Sequence, residues 1–473
     1  MFKLSPFIRI GGMIAIALIG LSALSWAFPY DVDLEQAPLG LYIGVATLAA
    51  GLWMWLPAKL NNNRQAYRPL LSILVIGLIA RGAMFVSTPV LEDDSYRYLW
   101  DGAVTARGID PYKYAPNQVD IISLFATEQT TPDDTDLAAL QRLAADHARV
   151  HSRINYPYVA TIYPPLTQAA FAVAHWIDPF GLTGWRLVLL AADLAAFGLL
   201  IALLKAHNRA PQWGALYWWN PIIILQGFGA GHMDILVVPF LLAALLSAKR
   251  EQFAIAPLSL AGAVGIKLWP ALLLPLILRP LLFKPFRLVG LGVLFVAVCF
   301  VLVAPQLIHA LDPNAGLNAY ASDWRTHAFL FTLLEDGVVR LLDDPGTLAR
   351  YTVALAVSGT VAILALRYAH QPEWLPALVA IAIATLLFLS PTGYPWYLIW
   401  LAPLLPFLLH PGLQALMLTA PLYWLRFQLG DEAWLYQWVI VPIAFGAPLA
   451  LIAHSLLKKD HRHEIGHHHS RAQ

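Results

Sequence analysis

Cysteine is almost missing from this 473-residue chain: Cys299 is the only one. It sits inside an apolar run, LVGLGVLFVAVCFVLVAP, so no internal disulfide can form and the residue reads as a small hydrophobe in a helix. Charge is scarce as well. Asp, Glu, Lys and Arg make up 12% of the residues, about half the share usual in soluble domains. The formal net charge is +1 and no basic stripe runs along any segment, so the electrostatic footprint of a nucleic-acid binder is absent. No internal repeat is visible, which argues against the inverted-repeat design of many secondary transporters. No cleavable signal peptide stands out: Lys3 and Arg9 precede an apolar run of about 20 residues, expected to stay as a first spanning helix.

What is present is hydrophobic. Apolar residues make up 59%, with 17 Trp, 18 Tyr and 21 Phe, and the mean hydropathy is +0.62. This predicts an all-α polytopic bundle of about twelve spans embedded in the lipid bilayer. Residues 1–457 read as one transmembrane domain and 458–473 as a basic, His-rich cytoplasmic tail. Orientation follows from Lys and Arg in the short loops. A helix over 10–28 meets the acidic turn Asp31, Asp33, Glu35; a second over 39–57 returns to Lys59, Arg64 and Arg68; a third over 69–88 goes out again. That puts the long polar segment 89–160 on the non-cytoplasmic side, with a second outer segment at 305–348.

Further on, Lys205, Arg209, Lys249 and Arg250 all call for the cytoplasm. Strict alternation forbids this unless 154–180, entered through Tyr163, Pro164 and Pro165, is short or re-entrant. Residues 253–278 are expected to form two short helices around Lys267 and Pro270. Later helices are expected at 288–304, 350–367, 374–389, 396–410, 412–427 and 437–457. Within the first outer segment, 131–150 has the pattern of an amphipathic helix, with Thr131 as N-cap, Pro132 at its first position, and Leu137, Leu140, Leu143 and Ala144 on one side. It is expected to lie on the membrane or dock on the bundle, with a plain surface helix as the alternative.

The most informative stretch is 89–116, which gathers Glu92, Asp93, Asp94, Arg97, Asp101, Arg107, Asp110 and Lys113 just where the third apolar run ends. Transfer of a sugar from a lipid-linked phosphate needs a base for the incoming hydroxyl and cationic groups for the departing phosphate. Asp93 and Asp94 suit the first task; mutual repulsion raises the pKa of one of them. Arg97, one turn on, suits the second. The competing reading is an acid pair that caps a helix and is answered by local arginines.

LEDDSYRYLWDG…GIDPYKYAP followed by TIYPPLTQAAF resembles the C-type (polytopic) glycosyltransferases that use polyprenyl-phosphate sugars. Among these it looks most like the bacterial polyprenol-phosphate-mannose-dependent mannosyltransferases and the catalytic subunit of GPI mannosyltransferase I. GAGHMDILVVPFLLAAL, AGAVGIKLWPALLLPLIL and SPTGYPWYLIWLAPLL are similar to later segments of that family, so the resemblance covers roughly 85–410. It implies the fold and a hexosyltransferase, mannosyltransferase-like activity in the inner (plasma) membrane, facing the periplasm or exterior. The donor would be a polyprenyl-phosphate sugar and the acceptor a glycan or glycolipid. The family's acidic pair falls on Asp93, as base or metal-associated carboxylate, and on Asp94. Glu92, Asp93 and Asp94 could hold a divalent cation with water; whether they do is left open.

Other candidates are weighed one at a time. Asp193 lies mid-helix, where a lone charge costs roughly 2.5–3.5 kcal/mol, so a structural pairing is expected. His232 and Asp234, in GAGHMD, are an incomplete metal pair and better suited to a hydroxyl contact, with helix capping as the alternative. Lys267, inside an apolar run, wants an anion: a donor phosphate, or Asp234 or Asp193. Arg325, beside Trp324 and His327, offers a second phosphate contact. Tyr98 and Tyr163 join the substrate contacts; Tyr394 and Trp396 could stack on a sugar, though interfacial belts also use such residues. The tail histidines His461, His463 and His467–His469 are given no role in transfer. A transporter or flippase of a lipid-linked sugar is the alternative function, for which Asp193, Asp234 and Lys267 would supply intramembrane charge.

Overall fold

The computed structural model describes residues 5–60, 68–119, 134–312, 315–337, 345–430 and 432–469. Among them the regular elements are all helices, and no β-strand is present. Seven helices are long and apolar enough to cross a membrane: Pro6–Ser25, Leu39–Lys59, Leu182–Ala206, Pro285–His309, Gly346–Arg367, Pro372–Leu389 and Ala433–Lys458. An eighth is formed if the pair Pro221–Gly229 and Met233–Lys249, bent by 110°, counts as one span. Pro285–His309 shows why water is the wrong solvent for this molecule. Its Phe286, Val293, Phe300 and Val301 all face outward, a continuous apolar flank that only lipid satisfies.

Several elements depart from the sequence expectations for identifiable reasons. The third apolar run closes at Met84, in a helix Arg68–Met84 of 17 residues. It carries a fully buried Arg81 that hydropathy alone does not flag. Residues 154–180 hold only the 13-residue helix Pro165–Ile177, too short to cross. That helix packs against Asp94–Ala106, and Gly102 makes the approach possible: a Cβ there would stand 2.4 Å from the Phe171 carbonyl oxygen. The helices expected at 396–410 and 412–427 are each broken into short α and 3₁₀ pieces, because Pro395, Pro403 and Pro421 remove backbone donors.

The amphipathic helix begins at Thr135, with the Asp134 side chain accepting from Leu137 N at 3.1 Å. Thr131 and Pro132 lie outside the described residues. Its Leu140, Leu143 and Ala144 join Trp100, Ala103 and Val104 in a second apolar core, so the helix docks on protein. Residues 253–278 form Ile255–Ile266 and a 3₁₀ turn Trp269–Leu273, separated by extended backbone at Lys267 (φ −153°, ψ 138°).

Asp193 is paired. Its Oδ2 is 2.6 Å from Arg81 Nε, with both side chains essentially inaccessible, and Tyr217 donates to its Oδ1. Arg81 also donates to the carbonyls of Gly77 (3.1 Å) and Trp218 (2.8 Å) and lies 3.5 Å over the Trp218 ring. Such contacts offset much of the cost of burying the ion pair, which pins helix Arg68–Met84 to the span Leu182–Ala206.

Candidate active site

The acid-rich segment enters its helix through a tight turn. Leu91 takes a left-handed conformation (φ 56°) just before Glu92, a position that costs a non-glycine residue about 1–3 kcal/mol and clusters at functional sites. Asp93 occupies the N-cap position, yet its side chain makes no capping hydrogen bond. Its carboxylate is turned toward Asn155, whose Nδ2 donates to Asp93 Oδ1 (2.9 Å) and Asp94 Oδ1 (2.6 Å). Helix capping therefore does not account for the Asp93 carboxylate.

The three acids titrate apart. Burial, reinforced by the Asp94 and Asp93 charges, lifts Glu92 well above the ordinary carboxyl range and favours its neutral form. Burial and the Asp94 charge push Asp93 up to about 6. Burial also opposes the Asp94 charge, but His232, Asn155 and Tyr98 outweigh it and hold that carboxyl below its usual value. Tyr98 contributes through its hydroxyl, 3.1 Å from Asp94 Oδ2.

His232 sits behind this group. Its Nδ1 is 3.5 Å from Asp94 Oδ2 and its Nε2 is 3.8 Å from Glu92 Oε2. The imidazole is fully buried and stacks on Trp396, with centroids 3.8 Å apart; Trp396 stacks in turn on Tyr394 at 4.2 Å.

Arg186 brings the two halves together, a residue that sequence reasoning missed. Buried at the head of Leu182–Ala206, it donates to the carbonyls of Phe85 (3.1 Å) and Ser87 (3.0 Å) on one side. On the other it donates to those of Phe228 (2.8 Å) and Gly229 (3.0 Å). It thus ties the strand of chain leading to Glu92 to the one leading to His232 and Asp234. The second strand turns at Gly231, whose φ of +82° suits glycine and whose carbonyl accepts from Trp185 Nε1 at 2.6 Å.

Asp93, Asp94, Asp234 and Lys267 all line one cavity of about 590 Å³, inside the range of about 300–1,000 Å³ usual for small-molecule sites. Tyr98, Tyr163, Tyr394, Trp396 and Arg97 also face it. Lys267 Nζ is 2.8 Å from Asp234 Oδ1, and Trp400 Nε1 donates to the same oxygen at 2.7 Å. Arg97 is less available than its position in the sequence suggests. Its Nε stands 3.3 Å from Asp101 Oδ1 and its Nη2 donates to the Val159 carbonyl at 2.5 Å, so it holds the polar segment together.

Two expectations shift. His232 backs the cavity wall without lining it, and Arg325 is turned away into an ion pair with Glu335. The neighbouring Trp324 does line the cavity, 4.4 Å from the Tyr156 ring. Asn155, Tyr156 and Arg426 are lining residues with no signal in the sequence: an ordinary loop amide, a loop tyrosine and a flanking cation. The tail histidines' side chains lie outside the described residues.

Among the described residues no group of three or more His, Cys, Asp or Glu side chains is disposed to hold a metal ion. One amide nitrogen, a hydrogen-bond donor, is aimed at both Asp93 and Asp94. What the arrangement offers chemically is a proton acceptor poised near neutrality, with cations and aromatic side chains lining the same cavity. Comparison with protein-family models, with curated proteins and with solved structures gives no match.

Proposed function

We propose that the protein is a membrane glycosyltransferase that moves a hexose, mannose by the resemblance of its motifs, from polyprenyl phosphate to an acceptor hydroxyl. The observation that carries this is the shared cavity: Asp93, raised to about 6, and Lys267 line it together with Tyr394 and Trp396. A base with a pKa near the working pH has the strongest combination of ionised fraction and proton affinity. In the reaction the acceptor oxygen attacks the anomeric carbon and gives its proton to Asp93. The bond from that carbon to the phosphate oxygen breaks, and the electron pair leaves with the polyprenyl phosphate. A single in-line displacement inverts the anomeric configuration. Asp94, held ionised, keeps Asn155 and Tyr98 in register. The aromatic faces of Tyr394 and Trp396 suit the apolar face of a sugar ring.

The architecture belongs to the same reading. The shorter apolar helices Pro69–Met84, Ile255–Ile266 and Trp269–Leu281 supply partial crossings beyond the long ones. With the long helices and the bent pair they bring the apolar helical segments to eleven among the described residues, near the about twelve passes expected of a C-type fold. The charge pattern of the loops orients the cavity toward the periplasm or exterior, in the inner (plasma) membrane. A flippase reading loses the intramembrane charge of Asp193, which Arg81 already satisfies.

The test is incubation of the purified protein with radiolabelled polyprenyl-phosphate-mannose and a glycan or glycolipid acceptor in detergent. Labelled product in this single compartment supports the enzyme. In a second arm, protein reconstituted into vesicles that moves label across the membrane with no product formed sinks it in favour of a carrier.

A further inference from the structure

Among the described residues three cations line the cavity: Arg97, Lys267 and Arg426. Two already have carboxylate partners, Asp101 for Arg97 and Asp234 for Lys267. Arg426 does not. Its Nη1 donates to Thr326 Oγ1 (2.9 Å) and Tyr423 Oη (3.0 Å), both neutral, and no ion pair among the described residues includes it. A partly buried guanidinium that lines a cavity, with no carboxylate in direct contact among the described residues, is able to take an incoming anion directly. Thr326 is itself fixed, its backbone N donating to Pro391 O and its carbonyl accepting from Gly393 N, both at 3.0 Å. Arg426 is therefore presented on a constrained support.

We infer that Arg426, and not Lys267 or Arg97, is the principal anion-binding residue of the cavity, and that the anion is the phosphate of a polyprenyl-phosphate headgroup. This rests on the glycosyl-transfer reading for the lipid and on the cavity alone for the anion. The planar fork of a guanidinium matches two phosphate oxygens at once, which the single ammonium of Lys267 does not. Apolar lining residues, among them Ile162, Ile266, Leu268, Leu317 and Leu386, suit a headgroup that keeps its chain in lipid better than inorganic phosphate. Arg426 and Asp93 line the same cavity, and the Arg426 charge acts on the Asp93 carboxyl.

The experiment measures binding of polyprenyl phosphate, neutral polyprenol and inorganic phosphate to the full chain in nanodiscs, read by tryptophan fluorescence. Arg426→Gln is expected to weaken polyprenyl phosphate at least about tenfold, more than Lys267→Gln does, and to leave polyprenol binding unchanged. Arg426→Lys is expected to recover part of the loss. It also serves as the test variant should the glutamine form fail to show a wild-type unfolding transition. Wild-type affinity in a folded Arg426→Gln, or a larger loss at Lys267→Gln, overturns the assignment. Inorganic phosphate competing at equal concentration overturns the lipid as its source. A transfer assay on the same samples separates the two claims. Binding lost at Arg426→Gln in a protein that transfers no sugar upholds this site and sinks the enzyme; transfer by a wild type whose Arg426→Gln binds normally does the reverse.

Discussion

Asn155 Nδ2 donates to Asp93 Oδ1 across 2.9 Å, joining two points 62 residues apart in the chain. This bond stabilises the ionised form of Asp93 and offsets part of the upward push from burial and Asp94. A base that must be ionised gives a rate that climbs with pH through about 6 and then levels. Below that midpoint kcat/KM is expected to fall about tenfold per pH unit. In Asn155→Ala the acid limb moves to higher pH, since the carboxylate loses a donor. A pH–rate profile of both proteins checks this, and an unmoved limb removes Asn155 from the control of Asp93.

Asp93→Asn keeps the size of the side chain and removes the proton acceptor. Transfer is expected to drop by roughly 10²–10⁴-fold, the usual worth of general base catalysis, with the protein still monodisperse. Steady-state kinetics decides it, and full activity takes Asp93 out of the mechanism.

Among the described residues Arg186 has four carbonyl partners and no carboxylate partner, so its loss acts through the two chain segments it joins. Arg186→Met leaves those carbonyls unpaired, at about 1–3 kcal/mol for each one that stays buried. A lowered thermal midpoint is expected, together with a fall in kcat at temperatures where the variant is still folded. Unchanged kcat in folded Arg186→Met would mean that the tie does not set the site.

Arg81→Met strands the Asp193 charge inside the bundle and is expected to cost about 3–5 kcal/mol. The double variant Arg81→Met/Asp193→Leu removes both charges and should recover most of that. Thermal unfolding in detergent compares the three; equal midpoints for the single and double variants refute the pairing argument.

Arg325 faces Glu335 outside the cavity. Arg325→Gln is expected to leave kcat/KM within about twofold of wild type, the scale of an ordinary surface substitution. A tenfold loss would restore it to the site.

Composition alone pointed to a multi-pass helical membrane protein, because 59% apolar residues in long runs suit lipid, and among the described residues seven helices are long and apolar enough to cross a membrane. Local pattern likewise located the acid cluster at 92–94 and made the solitary charges at Asp193 and Lys267 conspicuous, since each is costly unless paired. Partner choice was another matter. That Asp193 meets Arg81, Lys267 meets Asp234, and Arg325 turns to Glu335 depends on how helices cross, and side chains distant in sequence carry no mark of it. Asn155, Arg186 and Arg426 were invisible for the same reason. An amide, a flanking arginine and a boundary cation look ordinary until packing excludes water and leaves each with a specific task. Helix continuity at 396–428 also escaped the pattern, because only the folded bundle decides whether a proline bends a span or breaks it.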